Sequence, residues 1–274
     1  MNESTMQFQI EKIRHPKEKT YGTYVIVCGC IIWAIIALTF LSYILHKDYL
    51  HLSIFIIYIA VFWLVSYIAR ALTRAYMFGH YVLIGPNQFP HLHKMVQEGA
   101  KQVGLTEAPQ AFIYNSNGVI NAMAVRLIGR QRYIWLTSAL IDADNEEQVR
   151  FVIGHELGHH VSGHLSGIKC YLRLTGSFIP FLGKAYSRAR ELTCDRVGAF
   201  VSQNISASRS ALQMLACGSA KLNDQMNPDE FQKQETMVPH TAGYILHIFS
   251  HYPRLTKRVE EVSLWYAQTF KDHS

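Results

Sequence analysis

Between Tyr21 and Leu45 the chain carries no charged residue, and after His46, Lys47 and Asp48 a second uncharged run extends from Tyr49 to Ala69. At 1.5 Å per residue, helices of about 25 and about 21 residues are each long enough to cross the hydrocarbon layer of a bilayer. A secretory signal would have a shorter apolar core and a small-residue cleavage site, and no second run would follow it at once. A soluble core rarely tolerates uncharged runs of this length. The expectation is a transmembrane helical hairpin over residues 21–70, preceded by a basic N-terminus over residues 1–20 and followed by one folded domain over residues 71–274.

The position of the basic residues gives the net charge of +6 its meaning. Lys12, Arg14, Lys17 and Lys19 precede the first run, Arg70 and Arg74 follow the second, and the tip between them holds one Lys and one Asp. The positive-inside rule then puts both flanks, and with them the N-terminus and the folded domain, in the cytoplasm. The charge reads as topology and contact with lipid headgroups, which makes the bilayer a partner and leaves nucleic acid without support. Five cysteines, two of them inside the first apolar run, fit reduced thiols and exclude a disulfide framework.

Beyond Tyr81 the pattern is mixed. Val82–Ile84 and Ala111–Tyr114 read as strands, and Asn121–Leu127 and Gln131–Leu136 read as two arms of a hairpin about Gly129. Between the first two strands, Asn87 is placed to cap a helix with Leu92, Met95, Val96, Ala100 and Val103 on one face. Glu146–His164, Tyr186–Val201, Ser206–Lys221 and Arg254–Ala267 read as helices. Residues 171–183 read as a loop or membrane-facing segment, and residues 223–240 as a loop. The fold class is therefore α+β and mostly helical, with a small sheet.

Within the Glu146–His164 helix, His155 and His159 are four residues apart, so both imidazoles project from one face and can reach one metal ion. Glu156, next to the first, can accept a proton from a water held by that ion. Surface histidines are the bland alternative. Against it, Val149, Val152, Ile153 and Leu157 place apolar residues beside the motif, and a histidine-rich face against a core is costly unless something binds it. Catalytic zinc usually takes three protein ligands. A third histidine at the metzincin spacing is excluded, because that pattern needs Gly and His where the chain has Ser162 and Leu165. Glu191 would complete a His/His/Glu site, and Asp195, one turn on, could accept the free N–H of a ligand histidine. Taken alone, Glu191 and Asp195 read more readily as a solvated acidic stripe; beside the histidine pair, the metal reading takes precedence.

Four separated motifs, in order, resemble the M48-type zinc metallopeptidases, the HtpX- and Ste24-like membrane-associated endopeptidases. Gln88–Pro90 through Val103–Leu105 and Pro109 is similar to that family's helix before the metal motif. Asn121-Ala122-Met123-Ala124 is similar to its edge strand, and His155–His159 with His164 to its zinc helix. Arg190-Glu191 with Asp195 is similar to its third-ligand motif. Two departures stand out. The family's late His-Pro pair, followed by an Arg, is here His251-Tyr252-Pro253 with Arg258, and its second pair of spans is missing or reduced near 171–183.

The resemblance implies a zincin-type domain whose small sheet exposes an edge, with one Zn²⁺ per chain held by His155, His159 and Glu191. It implies Glu156 as general base, and His251, with Tyr252 as its substitute, as donor to the developing oxyanion. Asn121 and Ala122 would bind a protein or peptide substrate as an added strand. The implied activity is hydrolysis of internal peptide bonds in unfolded or membrane proteins, in quality control at a bacterial inner membrane. The reading from another class is a non-catalytic membrane adaptor that keeps the zinc fold. Cys194, between Glu191 and Asp195 in sequence, reads as packing.

Overall fold

A computed structural model describes residues 8–127, 131–165 and 168–270. After one helical turn, α1 (Ile10–Ile13), come two long apolar helices, α2 (Pro16–Leu45) and α3 (Tyr49–His80). Proline opens α2 where its missing N–H would have had no helical partner, and His15 Nδ1 accepts from the Lys17 amide at 3.2 Å. Asp48 caps α3 by accepting from the His51 amide at 3.2 Å. Both helices are long and apolar enough to cross a membrane, and the most apolar stretch of α3 has none of its residues buried against protein. A helix that is apolar all round and uncovered needs an apolar solvent.

The end of α3 leads into a four-stranded mixed sheet through Met77, whose sulfur lies 3.0 Å from Trp135 Nε1. The strands are β1 (Val82–Ile84), β2 (Gln110–Tyr114), β3 (Ala122–Val125) and β4 (Tyr133–Thr137), in the order β1-β2-β4-β3. β2 and β4 are parallel; β1 pairs antiparallel with β2, and β3 with β4, in a register that sets Ala122 opposite Leu136 and Ala124 opposite Ile134. The expected hairpin arms thus pair, with β3 at the edge, while Gly129 lies outside the described residues. Side-chain alternation splits the sheet. Ala111, Ile134 and Leu136 enter the main core, whereas Phe112 and Tyr133 join Met77 and Leu127 on the other face.

Helix α4 (Pro90–Gln102) supplies Leu92, Met95, Val96 and Ala100 to the main core as its spacing predicts. Its cap is Phe89, not Asn87, because Gln88 is tied to Gly85 by two backbone hydrogen bonds and the helix starts at Pro90. After α5 (Ser138–Ala143), Asn145 and Gln148 form a reciprocal capping box that starts α6 (Glu146–Val161). Helix α6 is buried on nearly every face from Gln148 to His160. It follows that the zinc-motif helix is central, not a surface stripe.

Its main partner is α8 (Leu182–Ser202), and glycine sets their separation. A Cβ on Gly154 would lie 2.9 Å from Gly198 Cα, one on Gly198 would lie 2.7 Å from Phe151 O, and one on Gly158 would lie 3.1 Å from Cys194 Cα. Gly154 and Gly158 each precede a motif histidine, so the spacing that presents His155 and His159 also presents the two small residues that let α8 approach.

Two expectations are corrected. Residues 171–183 are not simply a loop: α7 (Ile168–Gly176) is helical and lies against α2, where a Cβ on Gly176 would lie 1.9 Å from Val25 O. Residues 223–240 are not a loop either. After α9 (Ile205–Cys217) and α10 (Ala220–Asn223), they contain α11 (Pro228–Lys233), capped by Asn227, and a 3-10 turn over Gln234–Met237. Helices α12 (His240–Phe249) and α13 (Leu255–Phe270) end the described chain.

Asp144, at the end of α5, is buried, with its Oδ1 unpaired. Burial raises its pKa to about 7, against about 3.9 in an unfolded chain. Between those values the folded state holds more protons than the unfolded state, so stability falls as pH rises through the window. Compared with Asp144→Asn, the wild-type chain should lose on the order of 3 kcal/mol of unfolding free energy between pH 4 and pH 8. A pH-independent difference between the two, followed by denaturant unfolding in detergent, would contradict this.

Candidate metal centre

Three elements meet at one cavity of about 490 Å³: β3 with Ala122–Ala124 and Asn121 just before it, α6 with His155, Glu156 and His159, and α8 with Glu191. The chain after α12 closes it with Tyr252, Pro253 and Arg258. The Nε2 atoms of His155 and His159 face the two oxygens of Glu191, at 3.4 and 3.7 Å. Their ring centroids are 5.2 Å apart, one helical turn. Glu156 lies on the same cavity wall and is 5% exposed.

Behind the histidines, hydrogen bonds set the ring orientations. His155 Nδ1 donates to Asp195 Oδ1 at 3.0 Å, and Arg258 grips the same carboxylate with two bonds of 2.6 and 2.8 Å. His159 Nδ1 lies 3.1 Å from His164 Nδ1, and His164 Nε2 lies 3.0 Å from Glu18 Oε1, whose carboxylate is also bonded by Arg14. Glu18 Oε1 already accepts from Arg14, so it is the acceptor of the bond with His164, which donates through Nε2. Burial holds His164 neutral, well below the usual histidine pKa. Its Nδ1 is therefore an acceptor, His159 donates to it, and the His159 Nε2 lone pair is left facing the cavity. Glu18, on the first turn of the apolar helix α2, thus sets the tautomer of a histidine on α6.

Burial and the neighbouring charges set the protonation of each group. Burial pushes Glu191 up, but the hydrogen bond from His155 and the two neighbouring imidazoles reverse this and hold it at about 2. Among the described residues its carboxylate has no Lys or Arg within ion-pair distance. Burial opposes a charge on His155, yet Asp195 and Glu191 raise its pKa to about 10; His159 is driven well below the usual range by burial. A buried anion between two imidazole nitrogens, with a neutral donor at one of them, is a donor set that fits zinc. Burial raises Glu156 to about 7.

Cys194 does not point away from this cluster as its helical position suggests. Its Sγ and one nitrogen each of His155 and His159 all lie within 4.8 Å of one another. It is fully buried, 3.8 Å from His164 Nδ1, and burial drives its thiol pKa well above the normal value. Glu191 places its oxygens 3.4 and 3.7 Å from the two Nε2 atoms, so the carboxylate and the thiol are both within reach of the histidine pair.

The structure brings together His155, Glu156, His159, Glu191, Asp195, Asn121 and Ala122. It does not bring His251 to this cavity: His251 lines a neighbouring hollow with Phe178 and Arg190, and Tyr252 occupies the cavity wall. The links through Glu18 and Arg258 escape a reading of local spacing, because their partners lie 146 and 63 residues away. Glu18, flanked by Lys17 and Lys19 just before the first apolar run, offered no local signal of that contact.

The family model for peptidase family M48 matches residues 86–175, which include β3 and the whole of α6. A plastoglobule-localized metallopeptidase 48, chloroplastic, of Arabidopsis thaliana is 31% identical over 169 residues, covering 57% of this chain and 48% of that protein. A protease HtpX homolog of Paraburkholderia phytofirmans is 25% identical over 208 residues, covering 62% of this chain and 72% of that protein. The chain thus spans about half the length of the plant relative. The crystal structure of S. mikatae Ste24p matches in fold, with a TM-score of 0.52 and 17% identity over 85% of this chain and 66% of that one. The family match runs through the His155–His159 motif, so residues 86–175 are similar to an M48 peptidase domain, and the chain shares its fold with Ste24p.

Proposed function

We propose that the protein is a zinc-dependent endopeptidase tethered to a membrane by α2 and α3, with its catalytic domain on the cytoplasmic side. The observation that carries this is the convergence of His155 Nε2, His159 Nε2 and the Glu191 carboxylate on a cavity shared with Glu156 and the edge strand β3. His155, His159 and Glu191 would hold one Zn²⁺, which supplies Lewis acidity towards a peptide carbonyl and makes a water acidic near neutral pH. The names of the two relatives, a metallopeptidase and a protease, support the same reaction.

The chain's own residues do the rest. β3 pairs with β4 on one side only, among the described residues, so its other edge is open to an extended peptide backbone beside the metal ligands. Such backbone pairing favours flexible or unfolded segments of many sequences. Asn121 is exposed at the cavity, and its Oδ1 is occupied by the Ala122 amide, which leaves its side-chain NH₂ for a substrate carbonyl. Glu156 takes the proton of the attacking water and passes it to the leaving amine. Tyr252, 64% exposed and on the cavity wall, donates its O–H to the oxyanion, the role that the family resemblance gives to His251. Arg258 and Asp195 hold His155 in position.

Metal analysis of the detergent-purified full chain tests the site. Wild type should hold one zinc per chain, and Glu191→Ala should lose it or bind it at least about tenfold more weakly. Stoichiometric zinc unaffected by Glu191→Ala, but lost in Cys194→Ala, would move the third ligand to the thiol.

A further inference from the structure

A second cavity, of about 440 Å³, lies on the other side of Pro253 from the metal centre. Its walls come from the first turns of α2, the outer face of α8, α12, and the start of α13. Four cationic side chains line it, Lys17, Arg188, Arg254 and Lys257, against one carboxylate, Glu235. Glu235 is already taken by Arg254 and Thr256, and Lys17 and Lys257 share Glu261 beside the cavity. Arg188 differs from the others. It is 7% exposed, its one hydrogen bond goes to the carbonyl of Ser250 at 2.6 Å, and among the described residues it has no carboxylate partner. Its remaining N–H donors open onto the cavity, where an anion can reach them. The local field is positive enough that, after burial, Arg188, Arg254 and Lys17 depress the pKa of His247 on the same wall.

The surroundings of the cavity say which anion. Lys17 and Tyr21 bracket the point where the charged N-terminal segment gives way to the uncharged run of α2. That point is where headgroups meet hydrocarbon. Above the cavity, α12 exposes Tyr244, Ile245, Leu246 and Phe249, between 48% and 71% each, and Gly243 is its only buried residue. Phe249 packs edge-on against Phe181, next to Phe178, which is 79% exposed. These aromatics follow α7, which lies along α2 at Gly29, two turns into the apolar run. An exposed apolar helix that shares a cavity wall with the first turns of an apolar span is placed to lie on the bilayer surface with its apolar face in the lipid.

We propose that this cavity binds the phosphate headgroup of an anionic phospholipid, with Arg188 as its central contact and α12 as the helix that rests in the interface above it. The phosphate would take the unpaired donors of Arg188, with Lys17 and Lys257 at the rim, while the acyl chains would lie along Tyr244 and Phe249. This site is separate from the proposed proteolytic reaction and does not depend on it.

The test uses the full chain in a neutral detergent, titrated with short-chain phosphatidylglycerol, phosphatidylcholine of the same chain length, or inorganic phosphate. Saturable binding of phosphatidylglycerol is expected, with phosphatidylcholine and free phosphate much weaker. Arg188→Gln and Lys17→Gln should each weaken phosphatidylglycerol binding by about fivefold or more, Arg188→Lys should restore part of the loss, and Lys47→Gln at the hairpin tip should change nothing. Lys17 is half exposed, so its variant tests the site even if Arg188→Gln folds poorly. Equal binding of the two lipids, phosphate binding as tight as phosphatidylglycerol, or indifference to both substitutions would each overturn the proposal.

Discussion

Glu156→Gln should abolish peptide hydrolysis while leaving zinc content and folding unchanged. The amide is nearly the same size as the carboxylate and fills the same buried place on α6, but it cannot take a proton from water or return one to the leaving amine. Burial places the pKa of Glu156 at about 7, the poise expected of a group that must both accept and release a proton near neutral pH. Loss of a positioned general base typically costs about 10²- to 10⁴-fold, and this carboxylate would serve two successive proton transfers, so kcat on a flexible protein such as casein should fall by about 10³-fold or more. Wild type and variant that cleave alike would refute the mechanism. A wild-type protein that holds zinc and cleaves no peptide under any condition would favour the adaptor reading.

Asp195→Ala should have the largest effect on stability. Asp195 is 1% exposed and accepts from Arg258 and from His155. Burial alone would raise its pKa, but the Arg258 charge and hydrogen bonds hold it below the usual carboxylate value. Removing the carboxylate leaves a buried guanidinium without a partner, a defect that typically costs about 3–5 kcal/mol. It also frees His155 Nδ1, and loss of such an outer contact to a ligand histidine costs about 10- to 100-fold in metal affinity. A double variant separates the two effects. Asp195→Leu with Arg258→Met removes both buried charges and should recover much of the stability. Zinc affinity should stay low, because neither new side chain can accept from His155. Recovery of both properties would mean that Asp195 serves only the ion pair.

The parts of the site that are legible in the sequence are those separated by one helical turn. His155 and His159, and Glu191 and Asp195, announce themselves because a spacing of four puts side chains on one face wherever the helix is placed. The same spacing, at Gly154 and Gly158, carried the packing contact, although glycine attracts attention only once its neighbour is seen. The apolar hairpin was legible for a different reason: absence of charge over a bilayer's thickness is a property of composition and length and needs no partner. Residues 171–183 read without a helix because Tyr171, Leu174 and Phe178 are apolar about basic Arg173, and what accompanies the helix over 171–176 is contact with α2 at Gly29.

By itself, then, the sequence determined the two long apolar helices, the metal-motif helix and a carboxylate pair on one face of a later helix, since each rests on local length or on a period of 3.6. Only the tertiary structure decided that Glu191 sits between the two histidines and that Tyr252, not His251, faces the cavity. It also decided that Asp195 is clasped by Arg258, and that Glu18 on the first apolar helix orients His159 through His164. These depend on the distance between α6 and α8 and on the direction in which the chain leaves α12. Both are set by close packing among residues far apart in sequence, and no local periodicity encodes that.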